Sequence, residues 1–349
     1  MIITRYSKQR LAELNLEVEF LTPTFLGGAD QNAELRAAPF KNLLRQWWRV
    51  ACGAKFPDWQ EMLCAESDLF GSVQEGCTKV SSVRVHVAAN KKELCLSEAP
   101  IELGRTRHPE VGRGGNGMPV GNALYLGYGP ITYQNGPKRY ITPSSKARMT
   151  IVYPRIHEKT INTVLQYIHS FGTIGSRSRN GWGSVALSGE GFNPEPLAHF
   201  PTKSLQELLN GNAFPSSLGQ ENGLLCWQVN NLFSQDWKDY MTVLASTYLT
   251  LRTAINIKPQ GLQERHILGY PVTNHSVGNW GGNNGRMPSQ LRLMVKHNTE
   301  GKLVGRILHL PHKLPKRWDT QLGSELSVWQ SIHRKLDANN QLQRAGGNQ

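Results

Sequence analysis

The chain has 349 residues, and its 39 Lys and Arg against 26 Asp and Glu leave a formal net charge of +13. Such an excess suits a polyanionic partner. No apolar run approaches the ~18 residues of a membrane span and no basic amphipathic stretch stands out, so nucleic acid is favoured over a lipid surface.

Residues 1–10 are polar and basic without a hydrophobic h-region, which predicts a cytoplasmic rather than a secreted chain. In residues 15–21, Leu16, Val18 and Phe20 alternate with Glu17 and Glu19, the period of a half-buried strand. A turn-rich segment from Thr22 to Asp30 follows. Phe40, Leu43, Leu44, Trp47, Trp48 and Ala51 then form an apolar helical stripe, with Pro39 near its start. Lys41, Arg45 and Arg49 recur every fourth residue and share a face about 12 Å long, a span of roughly two phosphates. The competing reading is a solvated basic face beside a buried tryptophan pair.

Val83, Val85 and Val87 alternate with Arg84 and His86 in a second predicted strand. Residues 104–119 lose periodicity and read as a long basic insertion carrying Arg105, Arg107 and Arg113. Gly112, Gly114 and Gly117 satisfy G-x-G-x-x-G, but no strand precedes them and Pro119 interrupts the helix that should follow, which excludes a dinucleotide site. A G-x-x-x-x-G-K-[ST] phosphate loop is absent as well.

Thr160 is placed to cap a helix whose apolar stripe is Ile161, Val164, Leu165, Ile168 and Phe171, with Gly172 ending it in a left-handed turn. The next residues, Gly172 to Ser184, gather four glycines, Ser176, Arg177, Ser178, Arg179, Asn180 and Trp182 into one loop. Glycine lets the main chain approach a ligand, and arginine forks with free N–H groups supply the donors that phosphate accepts. Trp182 either stacks on a base or packs against the helix. Residues 184–187 read as a strand.

Prolines 194, 196, 201 and 215 mark a connecting region at 191–221, which divides the chain into 1–190, with an insertion around 91–150, and 191–349. The second part repeats the first: a strand at 224–229, a helix carrying Trp237, Tyr240, Met241, Leu244, Tyr248, Leu251 and Ile255, strands at 291–296 and 303–309, and a helix at 325–336. This predicts an α+β fold of two small sheets, each covered on one face by helices, in the split β-α-β, ferredoxin-like order. Cys52, Cys64, Cys77, Cys95 and Cys226 form no Cys-x-x-Cys pair, so neither a structural zinc site nor any other cofactor is expected.

Five segments carry a family resemblance. They are Leu21 to Asp30 (Leu-Thr-Pro-Thr-Phe-Leu-Gly-Gly-Ala-Asp), Leu35 to Arg49, Tyr125 to Pro130 (Tyr-Leu-Gly-Tyr-Gly-Pro), Gly175 to Gly183 and Arg286 to Arg292. Together they resemble the RAMP (repeat-associated mysterious protein) superfamily of CRISPR effector subunits, in particular the first subunit of type III-B (Cmr) complexes. The resemblance implies two tandem ferredoxin-like (RRM-like) domains with long loop insertions. It also implies a non-catalytic subunit that grips the 3′ part of a guide RNA, and target RNA, beside other effector subunits in antiviral defence. Carried over residue by residue, the phosphate contacts are Arg36, Lys41, Arg45 and Arg49 in the helix and Ser176, Arg177, Ser178 and Arg179 in the loop, and Gly175, Asn180, Trp182 and Arg286 are further RNA-binding candidates. Asn180 stands where relatives often have a basic residue.

An endoribonuclease is the alternative. Asp30 is the best-placed carboxylate for acid-catalysed or metal-assisted cleavage, although an Asp in a turn often caps its own backbone. His86, His108, His266 and His275 are candidates for metal-independent chemistry, and His266 also suits an ordering role in the second domain.

Overall fold

Apolar and polar residues alternate through Leu11–Phe20, and this strand (β1) buries Ala12, Leu16, Val18 and Phe20 while Glu13, Asn15 and Glu17 face solvent. In the computed structural model, the described residues are 10–28, 32–74, 77–112, 116–255, 261–270, 286–314 and 325–346, with positions 272, 275, 277 and 278. After β1 come helices α1 (Ala37–Cys52) and α2 (Trp59–Phe70), a hairpin of β2 (Ser72–Gln74) and β3 (Cys77–Lys79), and strand β4 (Arg84–Ala88). The insertion holds β5 (Leu96–Ser97), β6 (Arg105–His108), β7 (Met118–Gly121), helix α3 (Asn122–Gly127), β8 (Ile131–Thr132), β9 (Gly136–Pro137) and β10 (Tyr140–Ile141). Strand β11 (Lys146–Pro154), helix α4 (Glu158–Phe171) and strand β12 (Val185–Ser188) complete this half.

Four of these strands form one antiparallel sheet in the order β12-β1-β11-β4. Helices α1 and α4 pack together over it, and Trp47 stacks on Phe171 at 5.8 Å.

The second half opens with β13 (Thr202–Ser204), α5 (Leu205–Asn210) and β14 (Leu218–Gln220), where 191–221 was expected to be a plain linker. Leu205, Leu208 and Leu209 are buried there, and Ser204 closes a capping box with Glu207, so the prolines punctuate short elements rather than a free connection. Then follow β15 (Cys226–Val229), α6 (Trp237–Thr253), β16 (Leu291–His297), β17 (Leu303–His309), α7 (Glu325–Asp337) and β18 (Leu342–Arg344). Their sheet runs β16-β17-β15-β18, again antiparallel. In both sheets the first strand lies between the fourth and the third, and the second takes an edge. No described helix is long and apolar enough to cross a membrane.

Three local expectations are corrected. Helix α4 starts at Glu158 with His157 at its N-cap, which puts Thr160 inside the first turn. Gly172 is extended (φ −69°, ψ 133°), not left-handed. A side chain is excluded there by space, because a Cβ would stand 2.4 Å from the Ile168 carbonyl oxygen. Residues 104–119, expected to be irregular, pair β6 with β7 in register from Arg105 opposite Gly121 to His108 opposite Met118.

The halves meet at the edge of β16. The Leu293 N–H donates to the Arg179 carbonyl (2.8 Å) and the Val295 N–H to Ser184 Oγ (3.0 Å). Buried Lys296 donates from Nζ to the carbonyls of Ile168 (3.1 Å), Gly172 (2.7 Å) and Val185 (2.5 Å). Ser184 is fully buried, and its hydroxyl also donates to the Gly181 carbonyl (3.0 Å). Ser184→Ala leaves the Val295 amide without its acceptor, and equilibrium denaturation should register a loss of about 1–3 kcal/mol.

Candidate nucleic-acid interface

The glycine-rich loop between α4 and β12 folds tightly onto itself and onto residues 22–26. Gly183 adopts φ +67°, and a Cβ there would lie 1.8 Å from the Ile174 carbonyl oxygen, a closeness only glycine allows. Amide donors are consumed in this packing. Ile174 N–H donates to Gly183, Ser176 to Phe25, Asn180 to Arg177 and Gly183 to Pro23, at 2.7–3.0 Å. Ser184 N–H reaches Thr22 Oγ1 at 3.0 Å. The expectation that free main-chain amides cradle phosphate fails for these groups, because a loop buried between two sheets must satisfy its own backbone.

Trp182 is likewise withdrawn. It is fully buried, edge-on to Phe25 at 5.6 Å and to Trp237 at 6.3 Å, so its ring offers no face to a base. Asn180 donates from Nδ2 to the Leu126 carbonyl (2.8 Å), which fastens the end of α3 to the loop. The position that looked like a lost charge is thus a structural tie.

What the loop offers outward is side chains. Ser176 and Arg177 are exposed, and Gly175, Ser178, Arg179 and Asn180 are half-buried. Arg177 sits at φ +56°, a left-handed conformation uncommon for a side-chain-bearing residue. Burial pushes the Arg177 and Arg179 guanidinium pKa values down, and neighbouring Arg286 lowers that of Arg177 further. Exposed Arg286 precedes β16 in the other half. Among the described residues, none of these three arginines forms an ion pair. Behind Arg179 lies Arg292, buried 5.5 Å over the Trp47 ring and pushed down to about 9 by burial and by Arg179. Arg252 of α6 donates to the Tyr248 hydroxyl (3.3 Å). Burial raises the Tyr248 phenol, but Arg252, Ser289 and Arg177 more than offset it and leave its pKa lowered. Arg177, Arg179 and Arg286, like charges gathered without an ion-paired carboxylate among the described residues, favour an anionic occupant.

The β6–β7 hairpin is fixed against this region. Glu110 forms an ion pair with the almost fully buried side chain of Arg265, and rings run from His108 to Tyr125 (5.9 Å) and from Tyr125 to Tyr248 (6.4 Å). Arg105 and Arg107 are exposed on it, and Arg107 donates to the Asn116 carbonyl (2.7 Å). Arg113 lies outside the described residues, as does Asp30.

The α1 stripe has a different fate. Arg45 Nε donates to Glu66 Oε1 (2.7 Å), and Arg49 binds both carboxylate oxygens of the same fully buried Glu66 on α2. Burial and Arg45 lower the Lys41 pKa, and Arg36 donates to the Gly27 carbonyl at 2.6 Å. The donors expected to meet phosphate at Arg45 and Arg49 are therefore engaged within the protein.

Of the histidines, His86 is exposed on β4, His108 belongs to the hairpin contacts, His266 is buried within residues 263–268, and His275 is half-buried. Among the described residues, no group of three or more His, Cys, Asp or Glu side chains could hold a metal ion. Tyr128, Tyr248 and Arg252 escaped the sequence reading. Tyr248 had been counted only as part of an apolar stripe, and Tyr128 only within a quoted segment.

Glu66 is expected to dominate α1–α2 docking. Burial alone would raise its carboxyl pKa, but the hydrogen bonds and charges of Arg49 and Arg45 hold it below the usual range. A depressed folded pKa makes this stabilisation fully present above the ordinary glutamate range and lost as pH falls through the depressed value. Glu66→Gln should cost about 1.5–3 kcal/mol at neutral pH, and the gap to the parent should close in acid. Denaturant titrations across pH measure both.

A sequence model of the RAMP superfamily matches residues 17–186. No curated protein matches the chain. Among solved structures, Cmr1 from Pyrococcus furiosus in its apo form aligns over 96% of this chain and 99% of its own, with 18% identity and a TM-score of 0.51. A chain of the type III-B Cmr-beta complex bound to cognate target RNA and AMPPnP aligns over 93% and 98%, with 14% identity and a TM-score of 0.44. A chain of a type IV-B CRISPR complex covers 53% of this chain and 94% of its own, at 12% identity and a TM-score of 0.30. Cmr1 thus shares the fold over nearly the full length of both chains, and residues 17–186 match the RAMP superfamily.

Proposed function

We propose that the protein is a non-catalytic RNA-binding subunit of a type III CRISPR RNA-guided effector complex. It grips the 3′ part of the guide RNA, and target RNA, through the phosphate backbone, beside other RAMP-superfamily subunits in the cytoplasm. The observation that carries this reading is the convergence of Arg177, Arg179 and Arg286, without carboxylate partners among the described residues, where the two sheets meet. Each half is a tandem ferredoxin-like (RRM-like) unit in this account, 1–190 and 191–349, because both sheets share one strand order and both carry a helix after the first strand and another before the fourth.

The physical logic is that of guide-directed recognition. Base pairing between guide and target reads sequence, and A-form duplexes hide base edges in a deep major groove, so the subunit needs cations and hydroxyls rather than a base code. Arg105 and Arg107 on the hairpin extend the same basic surface. With the Arg45 and Arg49 donors engaged by Glu66, the glycine loop and Arg286 carry most of the contact.

Binding of single-stranded RNA should fall with salt. If about five phosphates are neutralised, the slope of log affinity against log salt is near −3.5, at ~0.7 per contact. Arg177→Ala and Arg179→Ala should each remove roughly one contact's share of that slope with little change in preference among sequences. Unaltered slopes in both variants count against the reading. Long incubation of labelled RNA with the protein, with and without divalent metal, is expected to yield no discrete products. Cleavage abolished by Asp30→Ala would instead establish the endoribonuclease.

A further inference from the structure

We propose that Tyr128 and Arg177 together form a site for one unpaired nucleotide, the phenol ring stacking on its base and the guanidinium holding its phosphate. This rests on the RNA-binding reading above and adds to it a preference for single strands or strand ends.

Tyr128 is 66% exposed, and it makes no ring contact among the described residues. Exposure alone says little, since Tyr133 is 90% and Phe233 91% exposed. What distinguishes Tyr128 is its mount and its neighbour.

The mount is a turn fixed at several points. Tyr128 directly follows α3, whose Leu126 carbonyl is held by Asn180 of the glycine loop (2.8 Å). Gly129 N–H donates to the Ile131 carbonyl (3.3 Å), and Lys138 N–H to that of Pro130 (2.8 Å). Gly127 is wedged beneath, where a Cβ would meet Ile131 Cδ1 at 2.6 Å and Trp182 Nε1 at 3.3 Å. An aromatic ring held on a rigid backbone loses little further freedom when a base lands on it.

The neighbour is Arg177. Gly129 adopts φ +114°, and a Cβ built there would stand 3.7 Å from Arg177 Nη2, so the guanidinium lies across the residue that follows Tyr128. Tyr128 is close enough to act electrostatically on Arg177, and Arg286 adds a second positive charge. Ring face and uncompensated cation are thus adjacent, the pairing a nucleotide needs for its base and its phosphate. In a continuous duplex both faces of every base are already stacked, and only an unpaired or terminal base can present one to Tyr128.

The test uses the full-length protein with two RNA probes, a 12-nucleotide oligoadenosine and a blunt 12-base-pair duplex. Tyr128→Ala should weaken oligoadenosine binding about 5- to 150-fold, the equivalent of ~1–3 kcal/mol of stacking, with the salt slope unchanged and duplex affinity little altered. Tyr128→Trp and Tyr128→Phe should retain affinity. A 2-aminopurine placed in the single strand should be quenched by the parent and not by Tyr128→Ala. If the parent binds and Arg177→Ala flattens the slope while Tyr128→Ala changes nothing, this inference alone is overturned. Equal losses on both probes in Tyr128→Ala overturn it too, since they mark a structural defect. A parent that binds neither probe overturns the RNA-binding reading along with it.

Discussion

A strand at the edge of a sheet has backbone donors and acceptors that its own sheet does not use, and β16 occupies such an edge. The architecture depends on how they are met. Arg179 and Ser184 accept the amides of Leu293 and Val295, while Lys296 reaches back to three carbonyls at the end of α4 and the start of β12. The glycine-rich loop is therefore a joint between two similar sheets first and a ligand surface second. Because the amides of Ile174, Ser176, Asn180, Gly183 and Ser184 are committed within the fold, the loop's polar side chains carry much of what it offers a partner.

Two clusters of arginine with similar sequence signatures end in opposite electrostatic states. On α1, Arg45 and Arg49 close around buried Glu66, and the charge is compensated inside the fold. At the joint, Arg177 lies in the field of Arg286 and Arg292 in that of Arg179, and the Tyr248 hydroxyl acts on both Arg177 and Arg179. Burial makes the charged forms of Arg177, Arg179 and Arg292 more costly than in water. A bound polyanion would relieve both the desolvation and the mutual repulsion.

Periodicity made much of this legible in advance. Alternation in β1 and β4 and the apolar stripes of α1, α4 and α6 were readable because each turns one face toward a core. The repeated order of strands and helices likewise foreshadowed the shared sheet topology. The β6–β7 hairpin was not readable, because four-residue strands rich in arginine and glycine show no apolar period and are held by Glu110–Arg265 and an aromatic chain. The pairing of Arg45 and Arg49 was invisible for a similar reason. Their carboxylate lies 21 and 17 residues further along, on another helix. Trp182 shows the limit most plainly: a tryptophan among glycines and arginines reads equally as a stacking platform or a plug, and only the packing of Phe25 and Trp237 decides for the plug.

The joint also explains why the exposed aromatic of the site comes from the insertion and not from the loop. Strands β12 and β16, an edge of each sheet, approach one another, and the bonds along this seam run through the Ser184 hydroxyl, the Lys296 amine and the loop carbonyl of Arg179. The space between them is filled by the loop and by Trp182, whose indole also underlies Gly127. A ring buried to seal the joint cannot bind a ligand. The same ring instead supports the turn that carries Tyr128, and Asn180 ties that turn to the residues flanking Arg177 and Arg179. The hydrophobic seal and the polar surface above it are therefore one construction, in which a loop packed into the joint gains a ring and a cation at fixed separation.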